Sequence, residues 1–441
     1  MKELRLRRYN NNTNDYGGKM LITALVLFII TYVLMLSLPK YRYLVALTSA
    51  IIFVVIGILP IKKVFPAIDF NVILMIAGTM GTVSLFIESK MPALLSDLLI
   101  RKVPNACFAI VVLSFFAGII SAFVDNVATV LMVAPVGLAI AKRVKISPVP
   151  VLISIAVSSN LQGAATLVGD TTSILLGNYA KMDFLDFFFM NGKPGIFWAV
   201  ELGAVATILV LVMLFRKEKQ PVTVLEMTKV TDFVPTILLC GTVVSLIFAS
   251  FIPQKPAITN GIICISFFLV GILWSYIKNQ NFNSAIKALK EIDYQTLLLL
   301  IGLFVVIAGI TEAGVINKIS EYFVLIAGDN VFIVYTLLVF ASVIFSAFID
   351  NIPYVATMLP VVSSIAAMMN VEPYLLYFGL LIGATLGGNL TPIGASANIT
   401  AIGILRKDGY EVKTKDFMRI GVPFTLMAVW IGYVFIWVVY H

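Results

Sequence analysis

Charge is what this sequence has least of. Asp, Glu, Lys and Arg together make up 12% of its 441 residues, about half of what a soluble globular chain carries. With 60% hydrophobic residues, there is too little polar side chain to cover a water-exposed surface. Apolar runs long enough to span a bilayer recur from end to end, so the chain reads as a polytopic helical membrane protein. Histidine is nearly missing: the one imidazole is His441, the last residue, which excludes histidine proton relays and histidine-ligated metal sites within the bundle. The three cysteines, Cys107, Cys240 and Cys264, lie in separate apolar segments without CxxC spacing. They read as small core residues rather than a disulfide or metal site. No glycine-rich loop ends in Lys-Ser or Lys-Thr, and no polar stretch is large enough for a nucleotide-binding domain, so ATP-driven transport is disfavoured. The net charge of +8 sits in short loops, where it speaks for topology and lipid headgroups and against a nucleic-acid partner. No small-residue cleavage site follows the basic first 19 residues, so a removed signal peptide is not expected.

Apolar spans fall near residues 20–38, 44–60, 71–88, 149–178 and 195–215, and again near 232–252, 257–277, 296–313, 372–403 and 419–440. A basic tail, 1–19, precedes a first half, 20–215; a polar linker, 216–231, leads to a second half, 232–441. Between the third and fourth spans of each half lies a longer apolar stretch, about 105–141 and about 330–367, broken at its middle by Asp-Asn. Each is too long for one crossing and reads as a re-entrant helical hairpin with its tip near mid-membrane. Backbone leaves a helix at that depth only where protein or a wet cavity satisfies it. Five crossings per half is an odd number, so the second half is expected to be inverted relative to the first. With an external N-terminus, the inside loops hold 20 Lys and Arg and the outside segments 11, which favours that orientation. The tail's own five Lys and Arg count against it. Segments 89–103 and 314–329 mix apolar and charged residues and read as amphipathic helices at the interface.

One motif occurs twice. Ser121-Ala122-Phe123-Val124-Asp125-Asn126 returns 225 positions later as Ser346-Ala347-Phe348-Ile349-Asp350-Asn351. Downstream the offset pairs Pro135 with Pro360, Thr166 with Thr391 and Gly169 with Gly394; upstream, at 224, it pairs Gly78 with Gly302 and Glu88 with Glu312. Asp125 and Asp350 are the foremost candidates. An acid in apolar surroundings is expensive to keep and marks a functional site by default. A plainer role is also open, since Asp and Asn at a helix start accept hydrogen bonds from its free N–H groups. Each acid, with Asn126 or Asn351, is a candidate for holding Na⁺ between carboxylate and unwound carbonyls, or for carrying a proton. Burial favours the neutral carboxyl, which brings proton exchange within reach of neutral pH.

The span after each hairpin carries the second constellation. The first holds Asn160, Thr166, Gly169, Asp170, Thr171 and Thr172; the second holds Asn389, Thr391, Pro392, Gly394, Ser396 and Asn398. Glycine clusters and Pro392 within an apolar span predict unwound segments, and freed backbone with nearby hydroxyls suits ion or substrate binding. Close small-residue packing accounts for the glycines equally well, but not for Asp170 or Asn389. Asp170 corresponds to Ala395, so the two halves are not expected to form equivalent sites. Pro135 and Pro360 read as kinks of the returning hairpin arms, and Glu88 and Glu312 as interfacial acids.

The stretches SAFVDNVATVLMVAP, FSAFIDNIPYVATMLP, GNLTPIGASANI and KDFMRIGVP resemble the ion transporter superfamily that holds arsenite permeases of the ArsB type, NhaD-type Na⁺/H⁺ antiporters and the melanosomal P protein. The likeness is greatest to the P protein and its bacterial relatives and runs from about residue 65 to 425. More distantly the chain resembles the divalent anion/Na⁺ symporters, whose hairpin tips carry Ser-Asn-Thr. The resemblance implies a scaffold domain that forms a homodimer contact, a transport domain holding both hairpins and both broken helices, and elevator-like movement. Where the anion symporters have Ser-Asn-Thr, this chain has Asp125-Asn126-Val127 and Asp350-Asn351-Ile352. Two added negative charges would repel a carboxylate substrate unless protonated or bound to cations.

The expectation is an all-α, inverted-repeat secondary transporter in the cell membrane, moving a small anion or neutral oxyacid coupled to Na⁺ or H⁺, with no other cofactor. Na⁺/H⁺ exchange is the alternative. An intramembrane aspartyl hydrolase, a different class, is the distant one.

Overall fold

The computed structural model describes all residues except 1, 223–226, 282 and 329, with side chains from residue 18 onward. It is almost wholly helical. Eight helices among the described residues are long and apolar enough to cross a membrane: Gly18–Ser37, Phe70–Glu88, Asn126–Arg143, Ile196–Phe215, Thr259–Asn279, Tyr294–Glu312, Asn351–Met368 and Thr414–Tyr440.

Both long apolar stretches break where Asp-Asn stands. Ala106–Ser121 is followed by Asn126–Arg143, and Val331–Ser346 by Asn351–Met368. Pro135 and Pro360 lie inside the returning helices. The following spans are also broken, as glycine and proline content dictates: Pro148–Gly163 gives way to Thr171–Tyr179, and Tyr374–Gly387 to Ser396–Lys407. Broken into such pieces, these spans fall below the length of a single crossing helix.

Four expectations need correction. The span placed at 44–60 ends early: Arg42–Val55 stops where Gly57 takes φ +79, a conformation glycine adopts readily, and a separate short helix, Ile61–Ala67, begins after Pro60. That first helix and Val234–Ser250 have 14 and 17 residues, so fewer helices reach crossing length than the ten spans expected. A short helix at Asn283–Glu291, burying Ala285 and Ala288, was not foreseen. The fold is not purely helical: Phe189–Met190 pairs antiparallel with Lys193–Pro194. Its turn is Asn191-Gly192, both at positive φ, the dipeptide two-residue hairpins prefer.

The chain divides into two compact units, each drawing on both halves of the sequence. One comprises residues 1–70, 293–334 and 356–373; the other comprises 71–292, 335–355 and 374–441. In the first, Tyr294–Glu312 packs on Arg42–Val55, with Gly302 so close to Ala46 that an added Cβ would sit 2.6 Å from its carbonyl carbon. Met35, Ala46, Leu299 and Leu303 form its buried cluster. In the second, Phe70–Glu88 packs on Thr259–Asn279 in the same manner, Gly78 lying against the backbone of Cys264. Small residues permit such backbone approach, which drives helix association in lipid.

The second unit also holds two helices enclosed on every side. Residues 151–163 are all buried, and so are residues 375–387. A helix surrounded in this way is normally apolar all round. These carry Ser154, Ser158, Ser159, Asn160, Gln162 and Thr385, buried polar groups that need partners within the protein.

Candidate functional site

Polar side chains gather in the second unit where the two Asp-Asn helix breaks, the expected hairpin tips, meet the two broken spans. Asp125 caps its helix, Oδ1 accepting from the N–H groups of Val127 at 3.0 Å and Ala128 at 3.3 Å. Asp350 does the same for Ile352 at 3.1 Å. Both acids thus make capping bonds, and Asp350 Oδ2 also accepts from Ser396 Oγ at 3.4 Å. A cap alone needs no net charge, since Ser, Thr or Asn caps as well.

The tips are held by their own broken spans. Thr166 Oγ1 donates to the Ala122 carbonyl and Thr391 Oγ1 to the Ala347 carbonyl, repeat-equivalent bonds 225 positions apart. A Cβ on Gly169 would lie 2.6–2.7 Å from the carbonyl oxygens of Gly163, Ala122 and Ser121, and one on Gly394 would meet those of Gly388 and Ala347. The glycines are where they are because the unwound strand lies directly on the hairpin tip. Thr166 and Thr391, expected among substrate-binding hydroxyls, are tied by these bonds to the turns that precede the two acids.

Two buried networks cross between the halves. In the first, Asn160 Oδ1 accepts from Asn126 Nδ2 at 2.9 Å, and Asn160 Nδ2 donates to Asn389 Oδ1 at 2.8 Å and Asn398 Oδ1 at 3.0 Å. Asn389 Nδ2 then donates to the Val157 carbonyl, and Asn398 Nδ2 to those of Gly388 and Thr391. In the second, Asp170 Oδ2 accepts from Thr172 Oγ1 at 2.9 Å and lies 3.5 Å from Asn351 Nδ2, while Thr172 meets Thr385 at 3.2 Å. Thr171 supplies a backbone N–H to Asp170 rather than its hydroxyl.

Asp170 lies against Asn351, the neighbour of Asp350, and Asp125 precedes Asn126, which bonds Asn160 ten residues before Asp170. Three carboxyl groups thus share one small region, and their mutual repulsion is strongest where water is scarce. Four helices start there as well: at Asn126, Asn351, Thr171 and Ser396. Their first N–H groups and the positive ends of their dipoles favour negative charge nearby. The arrangement can do two things chemically. It can take up cations or protons at the acids, and it can present amide N–H, hydroxyl and helix-start N–H groups to an anion.

All thirteen polar residues singled out from the sequence for cation or substrate binding lie in this unit. Thr385 was missed, having no motif of its own, although it aligns with Asn160 at the 225-residue offset. Gln162, two residues after Asn160, is buried as well: its amide covers Gly118, and its Oε1 has no partner among the described residues. No group of three or more His, Cys, Asp or Glu residues suited to a metal ion occurs among the described residues. Glu312 pairs with Lys63 at 2.7 Å and Glu88 stands 4.0 Å from Lys287, away from the cluster. The cysteines are free, with Cys107 and Cys264 buried and Cys240 exposed.

Residues 25–383 match the family model described as CitMHS, citrate transporter. A 46 kDa membrane protein of Mycobacterium leprae is 31% identical, covering 96% of this chain and 99% of its own length. An uncharacterized transporter of Mycobacterium tuberculosis is 30% identical over the same shares. The mouse P protein is 25% identical over 88% of this chain, which spans 56% of that longer protein. Among solved structures, the YdaH transporter of Alcanivorax borkumensis is similar in fold, with TM-score 0.57 and 13% identity over 96% of this chain and 97% of that one.

Proposed function

The chain belongs to the citrate transporter family; on that premise, and from the site's geometry, we propose that it is a cation-coupled carrier of a small anion. That it is a multi-pass membrane transporter and not an enzyme follows from the family and its relatives, which disposes of the hydrolase. The observation that carries the proposal is the meeting of three acids, Asp125, Asp170 and Asp350, with an amide cluster and four helix starts in one buried region. Empty of cations, the site repels an anion. Once Na⁺ or protons occupy the acids, the amide donors and helix starts favour one. Coupling is then a consequence of electrostatics: the anion binds well only to the cation-loaded protein.

Within this reading, Asp125, Asn126, Asp350, Asn351 and Asp170 handle the cation or proton. Asn160, Asn389, Asn398, Thr171, Thr172 and Ser396 offer donors to the substrate, and Thr166 and Thr391 hold the tips in place. The family's description makes citrate the first anion to try, and a neutral oxyacid such as arsenite the second. The duplicated motif supports inverted repeats; elevator-type movement and a homodimer are expectations drawn from resemblance.

Na⁺/H⁺ exchange without an anion is a second reading, favoured by the same three acids. Proton flux in proteoliposomes carrying an imposed pH gradient separates the two. Flux on adding citrate or arsenite together with Na⁺ supports the carrier; flux on adding Na⁺ alone, lost in Asp125→Asn and Asp350→Asn, supports the exchanger.

A further inference from the structure

A cavity of about 680 Å³ opens where Phe70–Glu88 ends, between the last turn of Thr259–Asn279, the short helix Asn283–Glu291 and the chain at Thr231–Asp232. It lies apart from the acid and amide cluster and has no part in the reading above. We propose that it binds the phosphate-bearing headgroup of an anionic phospholipid, held by Lys90 and Lys287.

Its charge is the first argument. Lys90, Lys278 and Lys287 line it against Glu88 and Asp232, leaving a surplus of one positive charge. Asp232 is already saturated: it takes hydrogen bonds from the Val234 N–H at 3.0 Å and Trp274 Nε1 at 2.9 Å, with Lys278 Nζ at 3.0 Å. Lys278 also donates to the Thr231 carbonyl. Those two charges are tied to each other. Glu88, by contrast, accepts from Ser284 at 3.4 Å and has Lys287 only at 4.0 Å, leaving most of that ammonium's donors for a ligand.

The repeat supplies a comparison. At the 224-residue offset, Lys287 corresponds to Lys63 and Glu88 to Glu312. In the other unit that same pair closes to 2.7 Å. The one Lys–Glu pair is a direct bridge; the other is looser beside a cavity, which leaves the Lys287 ammonium able to turn to a ligand in the cavity.

Lipid is favoured over a free anion by what surrounds the mouth. Leu85 and Leu238 form apolar wall. Val270 and Leu273, exposed on Thr259–Asn279, and Ile237, exposed on Val234–Ser250, descend from it as a track for acyl chains. Trp274 anchors the rim, its ring half-exposed and its N–H bonded, the posture of a tryptophan at a membrane interface. The segments here, 89–103 and 216–231, belong to the set richest in Lys and Arg, and basic pockets between helices on that side suit anionic headgroups.

The test is native mass spectrometry of the full chain in mild detergent, titrated with dioctanoyl phosphatidylglycerol, dioctanoyl phosphatidylcholine and inorganic phosphate in parallel. Saturable binding of phosphatidylglycerol is expected, weakened about fivefold by Lys90→Gln or Lys287→Gln and about 25-fold by both, and unchanged by Lys63→Gln. Raising salt should weaken binding to the unaltered protein, a readout that stands even if the double variant fails to fold. Equal binding of phosphatidylcholine, insensitivity to salt or unchanged binding in the Lys variants would overturn the proposal. Saturation by inorganic phosphate at similar concentration would reassign the cavity to a soluble anion.

Discussion

Asn160→Ala should be the most damaging single amide removal in this protein. The Asn160 side chain is fully buried and makes three bonds, to Asn126 on the first hairpin and to Asn389 and Asn398 in the second broken span. An interhelical side-chain bond in a bilayer contributes about 0.6–2 kcal/mol, so three bonds amount to about 2–6 kcal/mol before any rearrangement. The upper part of that range is expected, because Asn389 Oδ1 and Asn398 Oδ1 would lose their amide donor in a buried place, and an unpartnered buried acceptor costs about 1–3 kcal/mol. Ser154→Ala is the matched control. Ser154 lies on the same enclosed helix but bonds only the Pro150 carbonyl of its own chain turn, so about 0.5 kcal/mol or less is expected. Equilibrium unfolding of the purified protein in mixed detergent–SDS micelles measures both. Substrate-dependent flux should fall at least tenfold in Asn160→Ala and stay near normal in Ser154→Ala. If the two variants lose similar, small amounts of stability, the amide network does not join the halves and the site geometry argued from it fails.

Three further outcomes are expected. Gly169→Ala and Gly394→Ala, whose added methyl would meet backbone oxygens at 2.6–2.9 Å, should abolish stable expression, while Gly403→Ala, which meets nothing within 4 Å in the interior of a helix, should stabilise by about 1 kcal/mol; thermal melts of purified variants check both. Asp350→Asn keeps a side chain able to cap the next helix but removes a charge, so it should retain its melting temperature and lose cation-dependent flux by tenfold or more. Normal flux in that variant would make Asp350 a cap and nothing else. Lys63→Gln breaks an exposed bridge to Glu312, and its stability, by the same melts, should change by less than about 1 kcal/mol.

Most of the site was legible because the sequence states it twice. The duplicated Asp-Asn, with Thr166/Thr391 and Gly169/Gly394 in register, located both helix breaks and the residues that meet there. What the repeat does not encode was harder to read. Thr385 is a threonine among apolar neighbours, and only its alignment with Asn160 hints at its bond to Thr172. The bonding of Thr166 and Thr391 depends on carbonyls that a sequence does not display. The early end of the second span turns on one left-handed glycine, Gly57, in an otherwise apolar run. The strand pair at 189–194 rests on Asn191-Gly192, a signal easily lost beside Phe187-Phe188-Phe189. The boundaries of the two units were not legible in the residues themselves, because each unit joins helices from both halves through contacts such as Gly302 on Ala46 and Gly78 on Cys264.

The central claim is that the acids must be compensated before an anion enters, and calorimetric titration of the purified protein with citrate tests it most directly. The account predicts citrate binding that tightens at least tenfold when Na⁺ is added or the pH is lowered, with that dependence reduced in Asp350→Asn. Citrate binding of equal strength with and without Na⁺, at both high and low pH, would contradict it.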